Sequence, residues 1–546
     1  MHSAILLLAV TYLTKPQLAF SQQIPLSQKQ VEEFAISDDA CPLAEKVVTK
    51  DGLISSADIL TSPVFRLTQI DRLGQVVRIP TVSIEAEDDP WSSFFDPFLD
   101  LHRAFERLFP LMYHSSSKLE KVNRLGLVYT LQGTNTTLKP ILLTAHQDVV
   151  PAGDIHEWIY PPFSGHFDGQ WLWGRGSVDC KNVVIGLLSA IELLLAQSWT
   201  PTRTIVVAFG YDEESGGLKG AARISRHLEK RYGANSFEYL LDEGGMGLKT
   251  LGDTVYALPA IGEKGMMSVN LALSSSGGHS SVPPPHTSIG IMAEMIYHLE
   301  RRKLFTPRLD RSHPSRQLLQ CQAQHSPSFV EPWLWSALQS DDFEATAERL
   351  AQSRGDAVRF TYQTSQATDI IHGGIKVNTL PENVEATINY RVAIHEDLHD
   401  IKTRVIGIVA PIANKYNLTL SAFGKEIESN HPRTSLLNVT VFGASIEPAP
   451  ISLSNTLTSP VWARFSGIVR TVFESAPSLR GKQVVAAGDL MTANTDTRYY
   501  WNLTRNIYRF SPRRENHALN LHGANERIDI DVHLESMALY YGKNVF

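Results

Sequence analysis

Ile141-Leu-Leu-Thr-Ala-His146-Gln-Asp148 is an apolar run that ends in an imidazole and a carboxylate. The same construction occurs twice more. Ile205-Val-Val-Ala-Phe209 leads through Gly210-Tyr211-Asp212 to Glu213 and Glu214, and Tyr239–Leu241 leads to Asp242 and Glu243. Between the first two runs lies Trp173-Gly-Arg-Gly-Ser-Val-Asp179, followed by a helical apolar pattern from Val183 to Leu195. Short β-rich runs alternating with helices read as an open α/β sheet. Ligands of such sheets sit at the carboxyl ends of the strands, where all these acids and His146 fall. The expected site is that of a metal-dependent hydrolase.

Upstream, residues 22–60 form a polar lead-in. Leu67–Gln75 reads as a helix and Val76–Val82 as an extended entry into the first domain. Phe98–Phe109 carries Leu101, Phe105 and Leu108 at helical spacing, with Pro110 as a stop. Leu125–Gln132 and Ile141–Ala145 read as neighbouring strands joined by the polar turn Gly133–Lys139. Downstream, Val255–Ile261 and Met266–Ser274 are strand-like, Ile289–Arg301 helical and Leu318–Gly355 polar and helix-prone. Val384–Val392, Leu398–Tyr416 and Leu418–Phe423 then read as strand, amphipathic helix and strand. The block 266–425 is therefore expected to be an inserted α+β domain. It divides a catalytic domain into residues 61–265 and 426–546, the second part holding helices near Val461–Phe473 and Val532–Tyr541.

The 546 residues carry a net charge of −7 and no long basic run, which argues against nucleic acid as a partner. Ala4–Leu13 is an apolar core of signal-peptide length, with cleavage expected near Ala19–Ser21; a retained anchor is the lesser reading because the run is short for a bilayer. Four N-x-S/T sequons, at Asn135, Asn417, Asn438 and Asn502, agree with the secretory pathway. Three cysteines exclude a disulfide-stapled scaffold; Cys180 reads as a packed thiol, and whether Cys41 and Cys321 pair is open.

Zinc takes imidazole nitrogen and carboxylate oxygen. Two metals about 3.5–4 Å apart need a bridging acid, further ligands on each and a separate general base. The chain offers His146, Asp179, Glu214, Asp242 or Glu243, and His522 in Asn520-Leu-His522-Gly-Ala-Asn-Glu526. Glu213 is left over beside a ligand, and adjacent acids of an extended segment cannot both face the metal, so one of the pair is free to act as base. Each residue also has an ordinary reading. Asp179 is placed to cap a helix, His279 to sit in a serine-rich turn, and Arg391 to lie on a strand surface. His156, His166, His286 and His517 receive no role.

His146-Gln-Asp148-Val-Val-Pro151, Gly174-Arg-Gly-Ser-Val-Asp179, Asp212-Glu-Glu-Ser-Gly-Gly217, Asp242-Glu-Gly-Gly245 and His522-Gly-Ala-Asn-Glu526 stand in order along the chain. Together they resemble the di-zinc aminoacylase/carboxypeptidase metallopeptidase family, and within it the carboxypeptidase S (Gly-X carboxypeptidase) subfamily. The resemblance runs from about residue 60 to the C-terminus. It implies a mixed-sheet di-zinc exopeptidase domain with an inserted α+β lid of the dimerisation type. It also implies two zinc ions per chain, with His146, Asp179 and the acid of the Asp242-Glu243 pair on one, and Asp179, Glu214 and His522 on the other. The family pattern favours Glu243, and Asp242 stays open. Asp148 would orient His146, and Glu213 would be the general base. His279 would stabilise the oxyanion, in some relatives across a dimer, and Asn378 and Arg391 would hold the substrate carboxylate. Gly488 and Thr495–Arg498 match a further substrate-side segment; the long lid stretch near 320–357 matches nothing.

The implied activity is removal of a C-terminal residue from a short peptide with glycine before the scissile bond. The rival is hydrolysis of N-acyl amino acids at the same site. A rival of another class, an inactive secreted binding protein, is disfavoured by the complete ligand set. The implied location is the vacuolar lumen or the exterior.

Overall fold

The computed structural model describes residues 41–47, 52–114, 117–301, 303–427 and 435–543. The signal segment at 1–20 and the lead-in up to residue 40 lie outside the described residues. Among the described residues no helix is long and apolar enough to cross a membrane.

An eight-stranded mixed sheet forms the centre. Its order is Ser117–Val122, Gly126–Leu131, Ile205–Gly210, Ile141–His146, Leu240–Asp242, Ile507–Arg509, Ala260–Glu263 and Asp489–Met491. The inner strands are apolar without interruption because both faces are covered. Every residue of Gly126–Leu131, Ile141–His146 and Ile205–Gly210 is buried. Ile141, Leu143 and Ala145 face the core made with the helices Lys181–Ala196 and Ile530–Lys543. Leu142 turns the other way, into the cluster of Ala221, Ile224 and Leu228 on the Ala221–Tyr232 helix. That is the alternation a strand imposes.

Three expectations for the central domain need correction. Gly126–Leu131 and Ile141–His146 are not neighbours, because Ile205–Gly210 lies between them, antiparallel to the first and parallel to the second. A strand apolar on both faces belongs in the sheet interior, and the connection through Gly133 crosses its start. There Thr204 Oγ1 accepts from the Gly133 amide at 3.0 Å and Thr134 N donates to the Pro201 carbonyl at 2.9 Å. Val76 and Val77 are helical, not extended: the Pro63–Val77 helix, capped by Ser62, carries them on into the core beside Leu73. The run Val255–Ile261 splits at Leu258-Pro259 into Thr254–Ala257 and Ala260–Glu263, since proline donates no ladder hydrogen bond. Pro110 does end the Asp96–Leu108 helix, but it also opens a short one, Pro110–His114.

A second, six-stranded sheet builds the insertion. Its order is Ser365–Gly373, Asn383–Val392, Gly265–Ser274, Leu436–Ile446, Thr419–Ala422 and Lys425–Ile427. Met267, Val269, Leu271 and Leu273 face the helices Ser288–Arg301 and Leu398–Lys415. The sheet runs past the expected boundary at 425, because Leu436–Ile446 pairs with Gly265–Ser274 and buries Leu437 and Val439.

Residues 303–362 leave this sheet. Their helices Pro314–His325, Leu334–Gln339, Phe343–Arg354 and Asp356–Tyr362 share a small core of Leu309, Leu319, Leu334, Leu350 and Tyr362. They are strapped to the catalytic domain. Cys321 is disulfide-bonded to Cys41 and packs with Tyr256 and Val485. Ser315 Oγ donates to Asp489 at 2.8 Å. Lys264 Nζ donates to the carbonyls of Phe360 and Gln363 at 2.9 and 2.7 Å. Cys180 is a buried free thiol.

The Cys41–Cys321 bond joins residues 280 positions apart. Closing so long a loop removes denatured-state entropy worth roughly 3–5 kcal/mol. The double variant Cys41→Ser/Cys321→Ser is expected to lower the thermal midpoint by several degrees in calorimetry. An unchanged midpoint would show that the strap is held by its apolar contacts alone.

Candidate metal centre

The three strand ends meet as their sequence demands. His146 is the last residue of its strand, and Glu213 and Glu214 form a single 3₁₀ turn just beyond Gly210. Asp242 closes the third strand, with Glu243 next. The loop before the Lys181–Ala196 helix brings in Asp179, and the turn after Ala518–Leu519 brings in His522. The Asp179 carboxylate takes one imidazole on each oxygen: Oδ1 lies 3.0 Å from His146 Nε2 and Oδ2 3.2 Å from His522 Nε2. His522 Nε2 is also 3.2 Å from Glu214 Oε1. Ligand atoms of Asp179, Glu214 and His522 lie mutually within 4.8 Å, as do those of His146, Glu213 and Glu214. His146 is buried and His522 half exposed, so the cluster has a solid floor and an open side.

Asp148 is wholly buried and ties three parts together. Its carbonyl lies 3.0 Å from His146 Nδ1 and its Oδ1 3.3 Å from the same nitrogen. Its carboxylate accepts from Ser83 Oγ at 2.6 Å and from the amides of Glu213 and Glu214 at 3.1 and 3.0 Å. One carboxylate thus sets the His146 ring and the turn that carries both glutamates. Cys180 instead bonds the backbone of His146, accepting from its amide at 3.3 Å.

Both acids of the Asp242-Glu243 pair are buried. Thr144 Oγ1 donates to the Leu241 carbonyl at 3.5 Å, and Asp242 Oδ2 is buried without a hydrogen-bond partner among the described residues. Neither acid of the pair belongs to the tight ligand groups above. Burial pushes Glu243 up to about 8, with Asp179 and Asp242 adding to the rise. Burial also raises Glu213 well above the usual carboxylate range; His146 opposes the rise, and Asp496, Glu214 and Glu243 reinforce it. Burial works against charge on Asp179, yet its bonds to His146 and His522 hold it low. Bonds to Asp179 and Glu214 hold His522 up to about 10. Crowded carboxylates interleaved with two imidazoles form a donor set suited to divalent cations, whose charge relieves that repulsion.

The lid residues lie apart from this cluster. His279 is exposed, pairs with Thr379 in a two-residue ladder, and its Nδ1 accepts from Ser281 N and Oγ at 3.1 and 2.7 Å. Asn378 is exposed beside it, its carbonyl accepting from Ser280 N at 3.3 Å. Arg391 sits at the other end of the lid sheet, opposite Met266, whereas His279 follows Ser274. The strand from Met266 to Ser274 spans on the order of 27 Å at about 3.4 Å per residue, and His279 lies beyond its end in a separate two-stranded ladder. Arg391 Nη1 donates to Asn494 Oδ1 at 3.1 Å, and Asn494 Nδ2 donates to the Lys264 carbonyl at 2.6 Å, so Arg391 stands at the junction of lid and catalytic domain.

Residues 142–542 match the model of peptidase family M20/M25/M40. The chain belongs to that family. Carboxypeptidase S of Saccharomyces cerevisiae is 38% identical, over 88% of this chain and 84% of its own length. The N-fatty-acyl-amino acid synthase/hydrolase PM20D1.1 of Danio rerio is 31% identical, over 88% of this chain and 86% of its own. Among solved structures, the M20 family metallo-carboxypeptidase Sso-CP2 of Sulfolobus solfataricus shares the fold. Its TM-score is 0.58 at 17% identity, covering 87% of this chain and 98% of that one.

In this M20 chain two supports escaped the residue-level reading. Glu526 is fully buried and accepts from Arg175 Nη1 at 2.7 Å and from the amides of Gly176 and Val178 at 3.1 and 2.8 Å. It therefore holds the loop that presents Asp179. Its only signal was a carboxylate four residues after His522. Arg498 Nη2 and Tyr499 Oη both donate to the Gly216 carbonyl at 2.5 Å, clamping the glutamate turn. Their partner is a backbone atom, which no side-chain motif announces.

Glu526→Gln would turn an N–H toward a ring of N–H donors and loosen the Asp179 loop. Metal affinity is expected to fall about 10–100-fold, as for other changes behind a metal ligand. Competition with a chromogenic chelator would measure it, with far-UV circular dichroism unchanged. An unaltered affinity would mean that Glu526 does not position Asp179.

Proposed function

We propose that this chain is a zinc-dependent carboxypeptidase that hydrolyses the C-terminal amide of short peptides, with glycine preferred before the scissile bond. The observation that carries the reading is the Asp179 carboxylate between His146 and His522, with Glu213 beside Glu214, in an M20 chain similar to carboxypeptidase S. His146, Asp179 and Glu243, or Asp242 in its place, would hold one zinc; Asp179, Glu214 and His522 would hold the other. Bound there, zinc would activate water and polarise the scissile carbonyl.

The chain's own groups do the rest. Asp148 fixes the ring of His146 and the Glu213 amide. Glu213, with its pKa raised, takes a proton from the attacking water and delivers it to the leaving nitrogen. Arg391 offers a planar fork to the substrate carboxylate. The same geometry serves an N-acyl amino acid, which also places an amide next to a free carboxylate; the likeness to the fatty-acyl hydrolase supports this second reading. The apolar run at Ala4–Leu13, the disulfide and exposed sequons at Asn135, Asn417 and Asn502 support passage through the secretory pathway to the vacuolar lumen or the exterior.

His279 lies beyond Ser274, the end of the lid strand remote from the residue that pairs with Arg391. We infer that it serves the site of a second copy, in a homodimer built on the lid. Support comes from the edge strand Ser365–Gly373 and the loop after it, where Ile371, Ile375 and Val377 are 57, 94 and 99% exposed.

Hydrolysis of a blocked Gly-Leu dipeptide, lost on chelation and restored by about two zinc per chain, is the test of the activity. Arg391→Ala is expected to slow that substrate by about 10–100-fold while leaving its C-terminal amide little changed; equal losses on both would sink the carboxylate role. Fatty-acyl leucine cleaved in preference would move the substrate to the second reading.

A mixture tests the dimer. Glu213→Gln and His279→Ala are each expected to be inactive alone. Refolded together, they should regain activity, because one site of the mixed pair receives Glu213 from one copy and His279 from the other. No recovery in a mixture shown to be dimeric by sedimentation would place His279 in its own chain's site.

A further inference from the structure

Gln147, fully buried, stands between His146 and Asp148. Its side-chain Nε2 donates toward three carbonyls, those of Leu125 at 3.0 Å and of Phe209 and Gly210 at 3.1 Å each. Its backbone amide also donates to the Gly210 carbonyl, at 2.9 Å, and its own carbonyl accepts from Thr81 Oγ1 at 2.7 Å. One residue therefore pins the ends of the strands Ile141–His146 and Ile205–Gly210 to the start of Gly126–Leu131. Gly210 is three residues ahead of Glu213, so Gln147 holds the point where the glutamate turn leaves the sheet.

A buried amide that gives its N–H groups to carbonyls needs a donor for its oxygen. The donor is His102, whose Nε2 lies 2.8 Å from Gln147 Oε1. With Gln147 Nε2 committed to carbonyls, Oε1 is the acceptor and His102 carries its proton on Nε2. Burial lowers the pKa of the ring to about 4, against the bond to Gln147, so it is an uncharged donor above that pH. His102 comes from the helix Asp96–Leu108. Phe98, one turn earlier on the same face, meets Tyr211 edge to face at 6.1 Å. The helix thus grips Gly210-Tyr211 at two points, one polar and one aromatic. Packing alone asks for no imidazole at a position only 5% exposed. An apolar side chain there would leave Gln147 Oε1 buried and unpaired, and the amide would turn to find another donor.

We propose that His102 is a positioning residue for the reaction: through Gln147 it holds the strand ends from which His146 and the Glu213-Glu214 turn project. It touches neither substrate nor metal. Its effect falls on turnover and on metal binding, and not on recognition of the substrate carboxylate by Arg391. The proposal rests on the reading of Glu213 as base and of His146 and Glu214 as ligands.

Three variants of the zinc-loaded full chain, assayed on the blocked Gly-Leu dipeptide, are the test. His102→Leu fills the position and loses the donor. His102→Asn stays polar, but its amide stops short of Gln147. His102→Gln carries an N–H at the reach of Nε2. The first two are expected to lower kcat about 10–100-fold with KM changed by less than about threefold, and the third to recover most of that loss. Zinc affinity, read by competition with a chromogenic chelator, should fall about tenfold in the first two and recover in the third. Thermal midpoints should not follow that order. If His102→Leu does not fold, the contrast of Asn with Gln carries the test. The proposal is overturned by a wild-type kcat in His102→Leu and His102→Asn, or by a His102→Gln no better than either. It is equally overturned by unaltered zinc affinity, or by losses that track the thermal midpoint. Glu213→Gln, run beside them, separates the two readings: a wild-type rate there removes the base, and the zinc affinities then decide His102 alone.

Discussion

A single carboxylate shared by two imidazoles is the constraint on which this molecule turns. Asp179 meets His146 through one oxygen and His522 through the other, and those two histidines lie 376 residues apart in the sequence. Bringing them to one aspartate requires the central sheet for His146, the loop before the Lys181–Ala196 helix for Asp179 and the last part of the chain for His522. The Ile530–Lys543 helix secures that last part by packing on Lys181–Ala196 with Val532, Met537 and Leu539 in the common core. A weakly docked terminus would leave the pair without its second histidine.

Around that pair the protein relies on buried carboxylates that bind backbone. Asp148 accepts from the amides of the glutamate turn. Glu526 accepts from the amides of the Asp179 loop. Asp212 accepts from the amides of Lys219 and Gly220 at 2.8 and 2.7 Å, closing the turn from below. A charged acceptor makes stronger hydrogen bonds than a neutral one and holds loops where no strand ladder reaches. Burial in this setting raises the protonation range of Glu213 and Glu243, and their charged neighbours, Asp496 and Glu214 for the first and Asp179 and Asp242 for the second, add to the rise.

The insertion presents another balance. Its sheet stands out from the catalytic domain at Gly265; beyond Ser274 lies the separate two-stranded ladder of His279, and the edge strand Ser365–Gly373 with the loop after it carries bare aliphatic side chains. The helical strap at 303–362 works in the opposite sense, fastening the root of the insertion through Cys41–Cys321 and the Lys264 ammonium. The root is thus stiff where Arg391 meets Asn494, and the distal edge is left free to meet another surface.

Much of this was legible in the chain itself. An apolar run ending in acid or histidine forces a buried strand whose last residue must turn toward a polar opening, so His146, Glu213, Glu214 and the Asp242-Glu243 pair could be placed at one end of a sheet. Alternation in Met266–Ser274 and Val384–Val392 likewise announced a sheet with one covered face. Strand order was not legible, since side-chain period is the same whichever neighbour a strand pairs with; only the crossing at Gly133 and Thr204 inserts Ile205–Gly210 between the other two. The roles of Glu526, Arg498 and the strap were equally hidden, because their partners are backbone atoms and distant surfaces that leave no periodic mark. Composition and local pattern determined which residues were available for a metal centre. The tertiary structure decided which of them share one aspartate and which, like Arg391 at the junction of lid and catalytic domain, stand elsewhere, because distances across a fold are set by packing and not by spacing along the chain.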